Sequence, residues 1–180
     1  MKIALLAAGG PGEVQLFLAL ALGLRHLGHR TVLAAPEHAA DEIGKYPVEY
    51  QPLPGCDEQR LQPPDYGPLA RSEQYALHLA LLLACRDCDA VISPPALLFE
   101  AGVISEWLRK PFMIVLPYPL LPATSAFPHM TVRAKPSSFR LFNRFSHHVF
   151  QRRHERRRMP DVNAWRAGRR SGRWRSSLSA

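Results

Sequence analysis

KIALLAAGGPGEVQLFLALALGLRHLG, residues Lys2–Gly28, is the stretch on which the fold turns. Lys2–Ala8 is a continuous apolar run, the pattern of a strand buried on both faces. Gly9, Gly10, Pro11 and Gly12 break it. Val14, Phe17, Leu18, Ala21, Leu22 and Arg25 then recur at spacings of three and four, which predicts a helix over Val14–Leu27. Gly28 closes that helix as a C-cap.

The alternation continues outward. Thr31–Ala35 is a second apolar strand stopped by Pro36, and Glu37–Lys45 reads as a short helix. Val48–Leu53 reads as a third strand despite Pro52, and residues 54–70 form a loop rich in Pro, Gly, Asp and Gln. A helix over Glu73–Arg86, a strand over Asp89–Ser93, a helix over Ala96–Arg109 and a strand over Phe112–Leu116 follow. Five prolines between residues 117 and 138 make an irregular loop, and Ser138 to about Arg158 is a basic helix studded with aromatics. Strands alternating with helices predict an α/β, Rossmann-like parallel sheet with helices on both faces. The expected division is a sheet domain over 1–137, a basic aromatic helix and linker over 138–165, and an Arg/Ser-rich disordered tail over 166–180.

Composition narrows the classes. The chain has 180 residues, 47% of them hydrophobic and 21% charged, enough to bury a core without disulfides or a metal. No stretch reaches about 18 uninterrupted apolar residues, so no transmembrane helix is expected. Met1-Lys2 leads straight into the apolar run without a separate basic region or a cleavage site, which reads as a strand and not as a signal peptide. An odd three cysteines then point to a reducing, cytoplasmic compartment. The net charge of +8 is uneven. Residues 1–132 carry 9 Lys/Arg and 13 Asp/Glu, whereas residues 133–180 carry 14 and 2. An acidic body with a basic end is not a uniformly basic protein, so the high pI says little about the body.

The glycine turn after the first strand is where doubly wound sheets bind ligands. Gly10 and Gly12 let the backbone approach a ligand, and the helix N-terminus offers free N–H groups. The turn matches neither G-x-G-x-x-G nor G-K-[ST], and Ala34-Ala35-Pro36 stands where a dinucleotide site wants an acid. Glu13 has two readings: a first-turn acid that complements the helix dipole, or a catalytic base at the mouth of the sheet.

Cys85-x-x-Cys88 sits at a helix end, whereas redox pairs open a helix, and zinc would need two more ligands when Cys56 is the one cysteine left. These read as ordinary buried thiols, and no spacing suggests a metal site. In the basic helix Phe139, Phe142, Phe145 and Val149 share one stripe, with Arg140, Arg144, Arg152 and Arg153 elsewhere. That stripe either packs onto the sheet or lies on an anionic membrane surface through residues 138–158. The basic cluster His154–Arg158 has no nucleic-acid motif beside it, and nucleic acid is not expected as a partner.

In order along the chain, several segments resemble the N-terminal half of family 1/28 GT-B glycosyltransferases, the sterol, antibiotic and glycolipid type. They are Met1–Gly28, His29–Glu37 (HRTVLAAPE), Val48–Gly55 (VEYQPLPG), Asp87–Pro94 (DCDAVISP), Glu106–Val115 (EWLRKPFMIV) and Pro119–Pro128 (PLLPATSAFP). The resemblance implies a sheet domain that binds the acceptor and faces a second domain that binds a nucleotide sugar, with no cofactor. It assigns the catalytic base to Glu13, where relatives carry Asp in a Gly-Ser-Arg-Gly-Asp-Val-Gln-Pro turn. Here Gly10-Pro11 replaces Ser-Arg and Leu16 replaces Pro. It places Pro117, Tyr118, Phe127 and His129 on the loop that helps form the acceptor pocket, alongside Gly10 and Gly12. The implied chemistry is inverting transfer of a hexose to a lipid or natural-product hydroxyl. The donor-side signature is absent from these residues, so a separate donor-domain subunit or a lost half is expected, and the chain alone is expected to be an incomplete enzyme. The likeness stops after Asp161–Arg166, and the tail's Arg, Ser, Gly and Trp are what a frameshift in a GC-rich gene would yield. Two competitors stand beside this reading: a non-catalytic domain binding hydrophobic ligands or a membrane surface, and a nucleotide-binding Rossmann domain of other chemistry.

Overall fold

The structure is a computed structural model, and it describes residues 1–56, 71–117, 123–132 and 139–168. It divides into two units, Met1–Val115 and Leu116–Ala180. The described residues 116–117 and 123–132 fall in the second unit.

The first unit holds strands β1 (Lys2–Leu6), β2 (Arg30–Pro36), β3 (Glu49–Leu53), β4 (Ala90–Ser93) and β5 (Phe112–Ile114). Its helices are α1 (Pro11–His26), α2 (Ala40–Ile43), α3 (Arg71–Cys85) and α4 (Leu98–Leu108). All strand pairs are parallel, in the order β3-β2-β1-β4-β5. Leu5 pairs with Leu33 on one side and Ile92 on the other, which makes β1 the central strand. This is the doubly wound sheet expected from the alternation.

Alternation along β1 divides its side chains between two faces. Ile3, Leu5 and Ala7 meet Leu33, Ala35 and Ile92 under Val14, Phe17, Leu18 and Ala21 of α1. Helix α3 lies over β1, β2 and β3, and α4 packs beside it against β4 and β5. Phe17 and Leu5 are fully buried, and each such side chain contributes about 1.5–3 kcal/mol by leaving water. Pro52 is tolerated because β3 is a rim strand, where one missing N–H leaves no inner ladder broken. The expected helix over Glu37–Lys45 is shorter, a 3₁₀ turn at Glu37–Ala39 running into α2.

The second unit is built on α5 (Arg140–Gly168). The sequence reading ended this helix near Arg158 and placed a linker after it; instead it runs 29 residues with Pro160 inside. Proline costs a helix interior about 3 kcal/mol, and this helix continues past it to a buried Val162. The expected tail loses residues 166–168 to α5, and residues 169–180 lie outside the described residues. Segment 123–132 is tied to α5 by polar groups. Ser146 Oγ accepts from the His129 N–H at 2.8 Å, and Asn143 Nδ2 donates to the Ser125 carbonyl at 3.0 Å.

Phe139, Phe142, Phe145 and Val149 are 62%, 38%, 64% and 47% exposed. The buried face of α5 is the polar one, with Asn143, Ser146 and His147.

Candidate functional site

The site begins where β1 ends. The Ala7 N–H donates to the Ala34 carbonyl at 2.7 Å, and both Ala7 and Ala8 are fully buried. At Gly9 the chain takes a φ of +111°, a region that side-chain-bearing residues rarely enter. The Gly9 N–H donates to the Cys56 carbonyl at 2.9 Å, which pins the turn to the segment after β3. Gly10 is the N-cap of α1, and its carbonyl accepts from the N–H groups of Glu13 and Val14 at 3.1 and 3.3 Å. Pro11 opens the helix, where its missing N–H leaves no bond unmade.

Glu13 lies in the first helical turn and is half-buried. Its carboxylate folds back over Gly9. A Cβ placed on Gly9 would collide with Glu13 Oε2 and stand 3.2 Å from Cδ. The carboxylate thus lies against the carboxyl end of β1, at the positive end of the α1 dipole. Because β1 is flanked by β2 and β4, this turn opens on the point where the strand order reverses. Beside it, Ser93 at the end of β4 is fully buried and its hydroxyl donates to the Pro94 carbonyl at 3.1 Å. At the end of β2 the Tyr50 hydroxyl donates to the Pro36 carbonyl at 3.2 Å. Burial, and then the Glu37 charge, push this phenol above its ordinary pKa.

The structure therefore brings Glu13 and Gly10 together with Gly9, the first glycine of the Gly9-x-x-Gly12 turn, whose contact with the Glu13 carboxylate the sequence does not specify. The signal available for the turn was the pair of adjacent glycines followed by an acid at the helix start. Gly12 is different: a Cβ there would meet nothing within 4 Å. The position is exposed and leaves open space on that side of the helix start.

The second unit carries the other residues of the expected set. Pro117 is exposed, and Tyr118 lies outside the described residues. Phe127 is 36% exposed, and its carbonyl lies 3.2 Å from His147 Nε2. His129 is fully buried, with its ring stacked on Phe150 at 3.8 Å and set edge-on to His147 at 5.1 Å. Its Nδ1 is 2.9 Å from Thr131 Oγ1. Phe127 is thus the member of this pair that reaches the surface.

Cys85 and Cys88 are fully buried. Burial, with Cys88 adding to it, pushes the Cys85 thiol from 9.0 up to about 12. Burial also raises the Cys88 thiol, which donates to the Ala84 carbonyl at 3.2 Å. Neither forms a thiolate readily near neutrality, so neither suits thiol–disulfide exchange. Among the described residues no group of three His, Cys, Asp or Glu is placed to hold a metal ion, and no helix is long and apolar enough to cross a membrane.

Residues 3–92 match the glycosyltransferase family 28 N-terminal domain. The chain belongs to that family. Sterol 3-beta-glucosyltransferase UGT80A2 of Arabidopsis thaliana is 30% identical over 165 residues, covering 78% of this chain and 25% of the relative. O-mycaminosyltylonolide 6-deoxyallosyltransferase of Streptomyces fradiae is 47% identical over 55 residues, covering 31% of this chain and 13% of the relative. The chain thus spans a quarter or less of the length of these two relatives. Among solved structures, MurG of Acinetobacter baumannii aligns with a TM-score of 0.49 at 16% identity, over 67% of this chain and 36% of that one. This family 28 domain is a glycosyltransferase N-terminal domain, and its Glu13 turn falls inside the matched segment.

Proposed function

We propose that this family 28 domain forms the acceptor-binding wall of a nucleotide-sugar-dependent glycosyltransferase, with Glu13 as the base. The observation that carries the reading is the Glu13 carboxylate folded over Gly9 at the carboxyl end of the central strand. The donor site is assigned to a second Rossmann-like domain, on the same polypeptide or on a separate one.

In this reading an acceptor hydroxyl sits above the turn and gives its proton to Glu13 as its oxygen attacks the anomeric carbon. The bond from that carbon to the donor phosphate breaks, the nucleoside diphosphate leaves with the electron pair, and the sugar configuration inverts. A base positioned this way supplies about 10²–10⁴-fold in rate. The names of two relatives, one for sterol glucosylation and one for a tylonolide, support the proposed acceptor class. A lipid or natural-product hydroxyl fits both.

The test is transfer from a UDP-sugar to sterol and macrolide acceptors, with the donor-binding domain present. Glu13→Gln removes the base while keeping the side-chain shape. Activity should fall by about 10²–10⁴ with an unchanged melting curve, and full activity of the variant sinks the assignment. Calorimetry of this chain with UDP-sugar alone should show no tight binding; tight binding would contradict the division between acceptor and donor walls.

A further inference from the structure

We propose that the outer face of α5 docks on an anionic lipid surface. This deepens the reading above, because it brings the domain to the phase in which a lipid acceptor dissolves. It rests on α5 itself, and its test reads vesicle binding and not transfer.

The face is defined by exposure. At 100° per residue, Leu141, Phe142, Phe145 and Val149 fall on one side of α5, and all four are exposed. Leu141, Phe142 and Phe145, with Phe139, Arg144 and His148, line an open groove of about 610 Å³. The same side continues as cations, since Arg152, Arg153 and Arg156 follow at the next helical turns and are exposed. Expectation and structure part here, because Arg152 lies on the apolar face and not elsewhere. The opposite side is occupied within its own unit, where Asn143, Ser146 and His147 bond to segment 123–132.

Charge selects the occupant. Arg140–His154 contains no acidic residue, and the first acid along α5 is Glu155. Large apolar side chains that continue into arginines along one exposed helical side suit a surface that is oily below and negative at its rim. A neutral apolar partner leaves those arginines unanswered.

The experiment is sedimentation of the full chain with two vesicle types: phosphatidylcholine alone, and phosphatidylcholine mixed with phosphatidylglycerol. The expected result is binding to the anionic vesicles that weakens with salt. It should fall about fivefold for each of Arg144→Gln and Arg152→Gln. It should fall at least roughly tenfold in the Phe142→Ser/Phe145→Ser pair. These side chains are exposed, so the variants should keep the parent melting temperature. Phe145→Trp gives a second readout, a blue-shifted emission on anionic vesicles. No binding, equal binding to neutral vesicles, or binding indifferent to the serine pair overturns the proposal. Elution as a dimer that the serine pair abolishes, without vesicle binding, also overturns it, since the face would then meet a second copy.

Discussion

Gly9→Ala is the most exacting perturbation of the β1–α1 turn. Alanine at φ +111° carries a backbone strain of about 1–2 kcal/mol. Its methyl would also occupy the space held by Glu13 Oε2. The carboxylate is the free end of a side chain and can swing away, so the collision adds little to that strain. What is lost is its place near the helix N-terminus, about 0.3–1 kcal/mol. The total of roughly 1–3 kcal/mol lowers the melting temperature by about 2–10 °C in a chain of this length. The larger effect is on chemistry, because a base moved by an ångström costs about 100-fold in rate. Gly12→Ala is the control. A Cβ there meets nothing, and the position is helical, so stability should hold or rise by up to about 1 kcal/mol. Thermal melts followed by circular dichroism and transfer assays on the two variants read both effects. If Gly9→Ala melts with the parent, or transfers sugar at the parent rate, the carboxylate does not depend on Gly9 and the assigned site geometry is wrong.

Other consequences are independent of that turn. Phe17→Ala empties a fully buried site under α1 and should cost about 3–5 kcal/mol in urea unfolding. Phe150→Ala removes the ring stacked on His129 and should loosen segment 123–132, read as faster amide exchange at His129. The Cys85 thiol is raised from 9.0 to about 12 in the folded state, so it contributes stability below pH 9 that drains away as pH climbs from 9 toward 12. Unfolding free energies measured across that window should therefore fall, and the fall should be smaller in Cys85→Ala. Cys85 and Cys88 should also resist alkylation at pH 8 until the chain is unfolded in urea.

The sheet was legible because its code is local. An unbroken apolar run such as Lys2–Ala8 has one economical fate, and four largely apolar runs separated by helical patterns leave little choice of architecture. Pro52 weakened the reading of β3 only while its position at the rim was unknown. The turn was half legible. Glu13 could be placed at a helix start from spacing, but neither the φ of Gly9 nor the rotamer that brings the carboxylate over it is written in residue order. The α5 helix was misread for a different reason. Periodicity tells which side chains share a side, not which side is covered. Asn143, Ser146 and His147 are buried because their partners include main-chain groups of segment 123–132. A main-chain partner leaves no trace in the pattern of apolar residues. The helix also runs past its expected end near Arg158 and through Pro160, since a proline penalises a helix without always stopping it.

The rims of the sheet have a consequence for assembly. One border strand carries Pro52, and the other, β5, is only three residues long. Neither offers the row of amides along which another strand could zip, so lateral growth into a larger sheet is discouraged on both sides. A companion domain that avoids side-by-side strand pairing must meet this one through side chains and loops.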